Sequence, residues 1–206
     1  MALPARLNPF AVERLHDFGY RDPETGEAAD LGRLVARFDA LGRGAALVGP
    51  RGHGKSTLLG DLARELERRT EGAGNGPRVV RIRARADGTV SDPRWLDSDL
   101  SGVCLLVDGA DCLPRRSWRR LRRRSARSRR NRPGGGLLVT SHGRRLLPTL
   151  TRCATTPALV AALIEEILED APGPRRPLPP AAELWARHRG NVRLALLELY
   201  DLHAGR

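Results

Sequence analysis

Three short apolar stretches read as buried strands: Ala45–Val48, Val103–Val107 and Leu137–Val139. An unbroken run of this length, rich in Val and Leu, suits a strand covered on both faces in a parallel sheet. Arg78–Ala84 adds a second strand to this set, and Thr149–Thr155 is the candidate for a fifth. Between them lie stretches with helical spacing. Leu31, Leu34, Val35, Phe38 and Leu41 make one apolar face behind Asp30, whose side chain can cap the first turn. Residues 57–69 follow the first run and break at the glycines of 72–76. Residues 157–170 place Leu159, Val160, Leu163, Ile164, Ile167 and Leu168 on one side. Strands alternating with helices predict an α/β, three-layer fold with a mainly parallel sheet. A Pro-rich stretch at 171–180 reads as a stiff linker. Beyond it the spacing predicts two short helices broken at Gly190-Asn191, a small C-terminal helical lid. The expected organisation is an N-terminal arm over 1–30, a core over 31–170, the linker, and the lid over 181–206.

The loop after the first apolar run sharpens this picture. Gly49-Pro50-Arg51-Gly52-His53-Gly54-Lys55-Ser56, followed by Thr57, matches G-x-x-x-x-G-K-[ST]. It stands between a predicted strand and a predicted helix, the context a phosphate-binding loop requires. Glycines let backbone N–H groups turn inward around phosphate oxygens, and the helix N-terminus adds its positive dipole end. In that arrangement Lys55 is expected to reach the β- and γ-phosphates and Ser56 to ligate Mg²⁺. His53 occupies a variable position of the motif and is read as non-catalytic. Lys55 is the single lysine among 36 basic residues. A chain that uses arginine for nearly every positive charge keeps a compact ammonium at this one place. The run Val103–Val107 ends in Asp108. An acid at the C-terminal end of a central strand faces the crevice where ligands bind in open α/β sheets, so Asp108 is the second expected Mg²⁺ ligand.

Charge changes the picture at one segment. Arg115–Arg132 holds eleven arginines and no acid, and removing it from the net charge of +12 leaves +1. The chain is a near-neutral domain carrying one basic element. That element is a solvated connector, a contact to a nucleic-acid phosphate backbone, or a surface for an acidic protein or a membrane. No run of 18 apolar residues is present, so no membrane span is expected. The first ten residues lack the apolar centre of a signal peptide. Cys104, Cys112 and Cys153 show no metal-ligand spacing. These features together lead us to expect a reduced, cytoplasmic protein.

The ordered set of motifs resembles the additional-strand division of P-loop NTPases, and within it the AAA+ and STAND ATPases. Val107-Asp108-Gly109-Ala110-Asp111-Cys112-Leu113 is similar to the NACHT-type Walker B motif, in which a second acid follows three residues after the first. Leu138-Val139-Thr140-Ser141-His142 resembles the sensor-1 strand. Arg189-Gly190-Asn191-Val192-Arg193 is similar to the sensor-2 helix of AAA+ proteins and to the lid motif of STAND proteins. The resemblance covers about residues 30 to 206. It implies ATP and Mg²⁺ as cofactors, Asp111 or Thr140 to position water, Arg193 as a γ-phosphate contact, and self-assembly as a mode of regulation. The departures have consequences. Gly109 stands where many AAA+ proteins carry a water-polarising glutamate, Cys112 stands where the NACHT pattern adds one, and His142 replaces an arginine. The expectation is a slow ATPase or a nucleotide-dependent switch. The alternative is a nucleic-acid-binding module on the same scaffold, acting through Arg115–Arg132.

Overall fold

In the computed structural model, residues 8–11, 18–71, 77–131, 134–143, 146–169 and 177–204 are described. The glycine break at 72–76, Arg132, most of the Pro-rich linker and parts of the N-terminal arm lie outside them. The chain groups into two compact units: residues 30–49 with 55–153, and residues 1–29 with 50–54 and 154–206.

The first unit is built on a five-stranded sheet. Its elements are α1 (Leu31–Ala40), β1 (Gly44–Val48), α2 (Lys55–Thr70), β2 (Arg78–Arg83), β3 (Val103–Asp108), α3 (Arg115–Asn131), β4 (Gly136–Ser141) and β5 (Thr149–Arg152). The strand order is β2-β3-β4-β1-β5, and each neighbouring pair runs parallel. The three uninterrupted apolar runs are the three central strands, buried at every residue. β2, at an edge, carries arginines at 78, 81 and 83, and only Ile82 is fully buried there. β5, expected to reach Thr155, stops at Arg152, where its register on β1 has already shifted between Ala46 and Leu47. Cys153 still donates its N–H to the Val48 carbonyl.

Two helical layers cover the sheet. Ala46, Val48, Leu105, Val107, Leu137 and Val139 share one core with Leu113 and with Leu121 of α3. Residues of the other parity (Ala45, Leu47, Cys104, Leu106, Leu138) are equally buried. α2, with Leu58, Leu59 and Leu62 inside, packs along the strands. α1 begins at its Asp30 cap, where the carboxylate accepts from the Arg33 N–H at 2.8 Å. Burial pushes the Cys104 thiol up to about 11, so it stays protonated in the core.

α3 is held by little. Leu121 is its only fully buried apolar residue, and the helix can approach closely because the other inward positions, Ser125 and Ser128, are small. Ser128 Oγ donates to the Leu100 carbonyl. Arg129 Nη1 donates to the Arg43 carbonyl at 3.1 Å.

The second unit contains α4 (Pro157–Glu169), α5 (Ala181–Arg187) and α6 (Val192–Ala204). Val160, Ile164, Ile167, Leu184, Ala195, Leu196 and Leu199 form its core together with Phe10. Asn8 Nδ2 donates to the Tyr200 carbonyl at 2.8 Å, and Arg21 pairs with Glu166 at 2.5 Å. Among the described residues no helix is long and apolar enough to cross a membrane.

Leu121→Ala removes the single leucine that anchors α3 and leaves a cavity under a helix of ten arginines. We expect a loss of about 2–5 kcal/mol in unfolding free energy, read from the urea midpoint. A loss under 1 kcal/mol would show that the serines and arginines hold the helix without it.

Candidate nucleotide site

Parallel pairing places the C-terminal ends of β1, β3 and β4 on the same edge of the sheet, and β1 leads there into the glycine loop. Gly49 is needed for close approach: a Cβ at this position would collide with the carbonyl of Cys153. Gly52 and Gly54 are needed for conformation, with φ +76° and +77°, a region L-residues enter at a cost. Pro50 and Arg51 are exposed. Lys55, 5 % exposed, opens α2, followed by the half-buried Ser56 and the exposed Thr57.

In the sheet unit, Asp108 is the centre of a polar cluster. It is 7 % exposed. Its Oδ1 accepts from Ser56 Oγ at 2.9 Å and from Thr140 Oγ1 at 2.9 Å, and its Oδ2 accepts from Arg83 Nε at 3.3 Å. The sheet register brings these partners. Arg83 is the paired residue of Asp108 across β2 and β3. Val107 lies opposite Val139, so the next step along both strands sets Thr140 beside Asp108. Thr140 Oγ1 also accepts the Gly109 N–H at 2.7 Å, and Gly109 turns at φ +80°. Arg81, two residues before Arg83, donates to the Ser56 carbonyl at 3.3 Å.

Asp111 lies beyond this turn, in the short 3₁₀ segment Ala110–Cys112. His142, two residues after Thr140, grips it twice: the backbone N–H reaches Oδ2 at 3.0 Å, and ring Nδ1 lies 2.8 Å from the same oxygen. A carboxylate only accepts, so Nδ1 carries the proton. Burial pushes the Asp111 carboxyl up, but the two hydrogen bonds from His142 outweigh it and hold the group below the ordinary carboxylate range. Its other oxygen, Oδ1, is buried and accepts no hydrogen bond from the described residues.

The middle of the glycine loop packs within the other unit. A side chain at Gly52 would collide with the Asn191 amide, and the Val192 N–H donates to the Gly52 carbonyl at 3.3 Å. His53 is buried against Gly190, and Tyr20 lies against Gly54. Thr155 Oγ1 donates to the Gly190 carbonyl at 2.7 Å and accepts from Trp185 Nε1 at 3.1 Å. His53 therefore has a packing role that its variable position in the motif did not suggest. Arg193 is exposed on α6.

The expected set thus falls into groups. Ser56, Asp108 and Thr140 are in mutual contact, and Asp111 is tied to His142. Arg83 and His142 were not singled out as partners of these acids. A signal for Arg83 was present: β2 ends on an arginine where β3 ends on an aspartate.

No protein-family model matches the chain, and no curated protein matches its sequence. Solved structures do match. The Orc1 protein of Aeropyrum pernix, in complex with DNA, superposes with a TM-score of 0.61 at 20 % identity over 95 % of this chain. The fold, a three-layer α/β P-loop NTPase fold, is shared with that protein. This chain covers 62 % of the Aeropyrum chain. C. elegans PCH-2 matches at TM-score 0.46 and 16 % identity, over 85 % of this chain and 68 % of that one.

The Asp111–His142 contact makes a pH prediction. A carboxyl held low in the folded state contributes stability that is present above its unfolded value, about 3.9. That stability is lost as pH falls through the lower folded value. Asp111→Asn should remove this contribution at neutral pH and flatten the acid limb of the stability curve below about pH 4. An acid limb unchanged in the variant would show that Asp111 gains nothing from His142.

Proposed function

We propose that this protein binds ATP with Mg²⁺ and acts as a slow ATPase or nucleotide-dependent switch. The observation that carries the reading is the 2.9 Å contact between Ser56 Oγ and Asp108 Oδ1. These residues come from two motifs 52 positions apart, and the fold joins a hydroxyl and a carboxylate at the end of a central strand. Both are hard oxygen donors of the kind Mg²⁺ takes, usually one or two from protein with phosphates and water supplying the rest. The donor set therefore fits the metal.

In this reading Gly49 to Thr57 present backbone amides and the Lys55 ammonium to the phosphates, and Ser56 and Asp108 hold the metal. Bound Mg²⁺ supplies charge neutralisation of the phosphate oxygens. Thr140 fixes the rotamer of Asp108 and satisfies the turn at Gly109. Arg83 balances the carboxylate from the edge strand. Gly109 has no side chain to act as a base. Asp111 is the remaining acid of this strand end and is the residue that would orient an attacking water, a role that needs hydrogen-bond reach. Arg193 enters through the Gly-Asn-Val-Arg context of its helix alone, and STAND or NACHT kinship through the Asp108–Asp111 spacing alone. The division into arm, core, linker and lid belongs to the same reading. So does stimulation by self-assembly, because an arginine supplied in trans would add the charge stabilisation the site lacks.

A second reading, a nucleic-acid-binding module on this scaffold, is favoured by one feature, the outward arginines of α3. The fold is shared with a protein solved in complex with DNA.

Calorimetry tests the first reading. Lys55→Ala should weaken ATP binding by roughly 10- to 150-fold, as expected for losing hydrogen bonds to a charged group worth about 1.5–3 kcal/mol. Unchanged affinity would remove the assignment. Asp108→Asn should weaken binding in Mg²⁺ far more than in EDTA; an equal loss in both would make Asp108 a structural residue.

A further inference from the structure

Folding sorts the arginines of α3 into two groups. Arg124 donates to the Ser98 carbonyl and Arg129 to the Arg43 carbonyl, so both hold the helix to its own unit. Arg116, Arg119, Arg123 and Arg127 are exposed, and they recur at intervals of three and four along the face opposite the buried Leu121, Ser125 and Ser128. Together with Arg120 and Arg124 they line one continuous shallow groove. The acid set against this row is Asp97, 2.9 Å from Arg120 and 3.8 Å from Arg124.

We infer that this face of α3 is a binding surface for the phosphodiester backbone of a nucleic-acid duplex. The inference rests on the nucleic-acid reading and names where and how contact is made. Arg116 to Arg127 spans about 17 Å at the helical rise of 1.5 Å per residue. That length covers roughly five base pairs at about 3.4 Å each. Guanidinium forks match phosphate geometry better than point charges do. The groove residues are all arginine, and the large apolar residues exposed in the described structure, Leu194, Leu197 and Leu202, all lie on α6. Protein partners are usually anchored by buried aromatic or aliphatic side chains, and a membrane helix needs a free apolar face. α3 offers neither, because Leu121 and Trp118 are engaged in the sheet core. Stacking on unpaired bases needs exposed aromatics, which favours a duplex over a single strand. Contacts to phosphate oxygens carry no sequence information, so binding through this face is sequence-independent.

The test is a salt titration of the full chain, without nucleotide and in EDTA, against duplex DNA, duplex RNA, poly-glutamate and anionic vesicles. Four phosphate contacts give a slope of log affinity against log salt near −3.6, about 150-fold between 50 and 200 mM. The variant Arg116→Gln, Arg119→Gln, Arg123→Gln should lose about three units of slope, alike for all sequences. Arg115→Gln with Arg122→Gln, on the flank of the helix, should leave the slope near its starting value, and Lys55→Ala should leave duplex binding intact. Tighter binding to either duplex supports the inference and identifies which nucleic acid is recognised. Binding to poly-glutamate or vesicles as tight as to duplex overturns it. No duplex binding at all removes the nucleic-acid reading itself. Duplex binding that survives the triple variant keeps that reading and removes α3 as its site, and an equal fall in the flank variant overturns the assignment to this face of the helix.

Discussion

A carboxylate buried at the end of a central strand must be answered by donors, and much of the sheet unit is arranged around answering Asp108. An ionised group left unpaired in such a place would cost several kcal/mol. Ser56 reaches it from the first turn of α2, Thr140 from β4 and Arg83 from β2. Each partner constrains an element. The contact with Ser56 fixes the start of α2 at the end of β3. The contacts with Arg83 and Thr140 form one row across three adjacent strands, so they exist only in the register that pairs Arg83 with Asp108 and Val107 with Val139. A slip of one residue would turn each of these side chains to the opposite face. The polar row thus specifies register in a sheet whose central strands, apolar at nearly every position, specify it weakly.

The same row links fold to chemistry. Thr140 spends its hydroxyl on Asp108 and accepts the Gly109 N–H, so the tight turn after β3 is satisfied by the residue that orients the acid. Two residues on, His142 takes hold of Asp111. β4 and the residue just beyond it therefore fasten the end of β3 and the 3₁₀ segment after it, through Thr140 and His142. The two acids are held differently: Asp108 accepts at both oxygens, two bonds at Oδ1 and one at Oδ2, whereas Asp111 accepts at Oδ2 and not at Oδ1 from the described residues. Two carboxylates three residues apart thus acquire different surroundings from their neighbours rather than from their own chemistry.

What was legible in the sequence follows from this. The central strands could be read because burial on both faces demands an apolar run, and Ala45–Val48, Val103–Val107 and Leu137–Val139 have little else to be. The loop could be read because its glycines answer local needs: close approach at Gly49 and positive φ at Gly52 and Gly54. Helix boundaries came within a residue or two, since Asp30 and Gly42 are local signals. The pairing of side chains was not legible. Arg83 meets Asp108 through a strand order that no local pattern encodes, and His142 meets Asp111 because β4 lies beside β3. β5 was overestimated, because an edge strand with a register shift ends where pairing ends and not where its apolar pattern does. Charge counting found α3 but could not divide its arginines, since the division depends on which carbonyls lie within reach.

The near-exclusive use of arginine then has a structural reading. Arginine carries five donors in a planar fork, and here it closes open carbonyls at Arg43, Ser98 and Gly135, besides pairing with Asp108. A lysine could supply the charge at such places but not an N–H held in a fixed direction by a planar group. The glycine loop poses the opposite demand. Lys55 is 5 % exposed at the first position of a helix, between Gly54 and the half-buried Ser56. A compact ammonium on a slender stem fits there, and its three donors rotate toward whatever oxygens the loop encloses. One lysine among 36 basic residues marks the one position where a point charge serves better than a fork, and that position is the one facing phosphate in the proposed site.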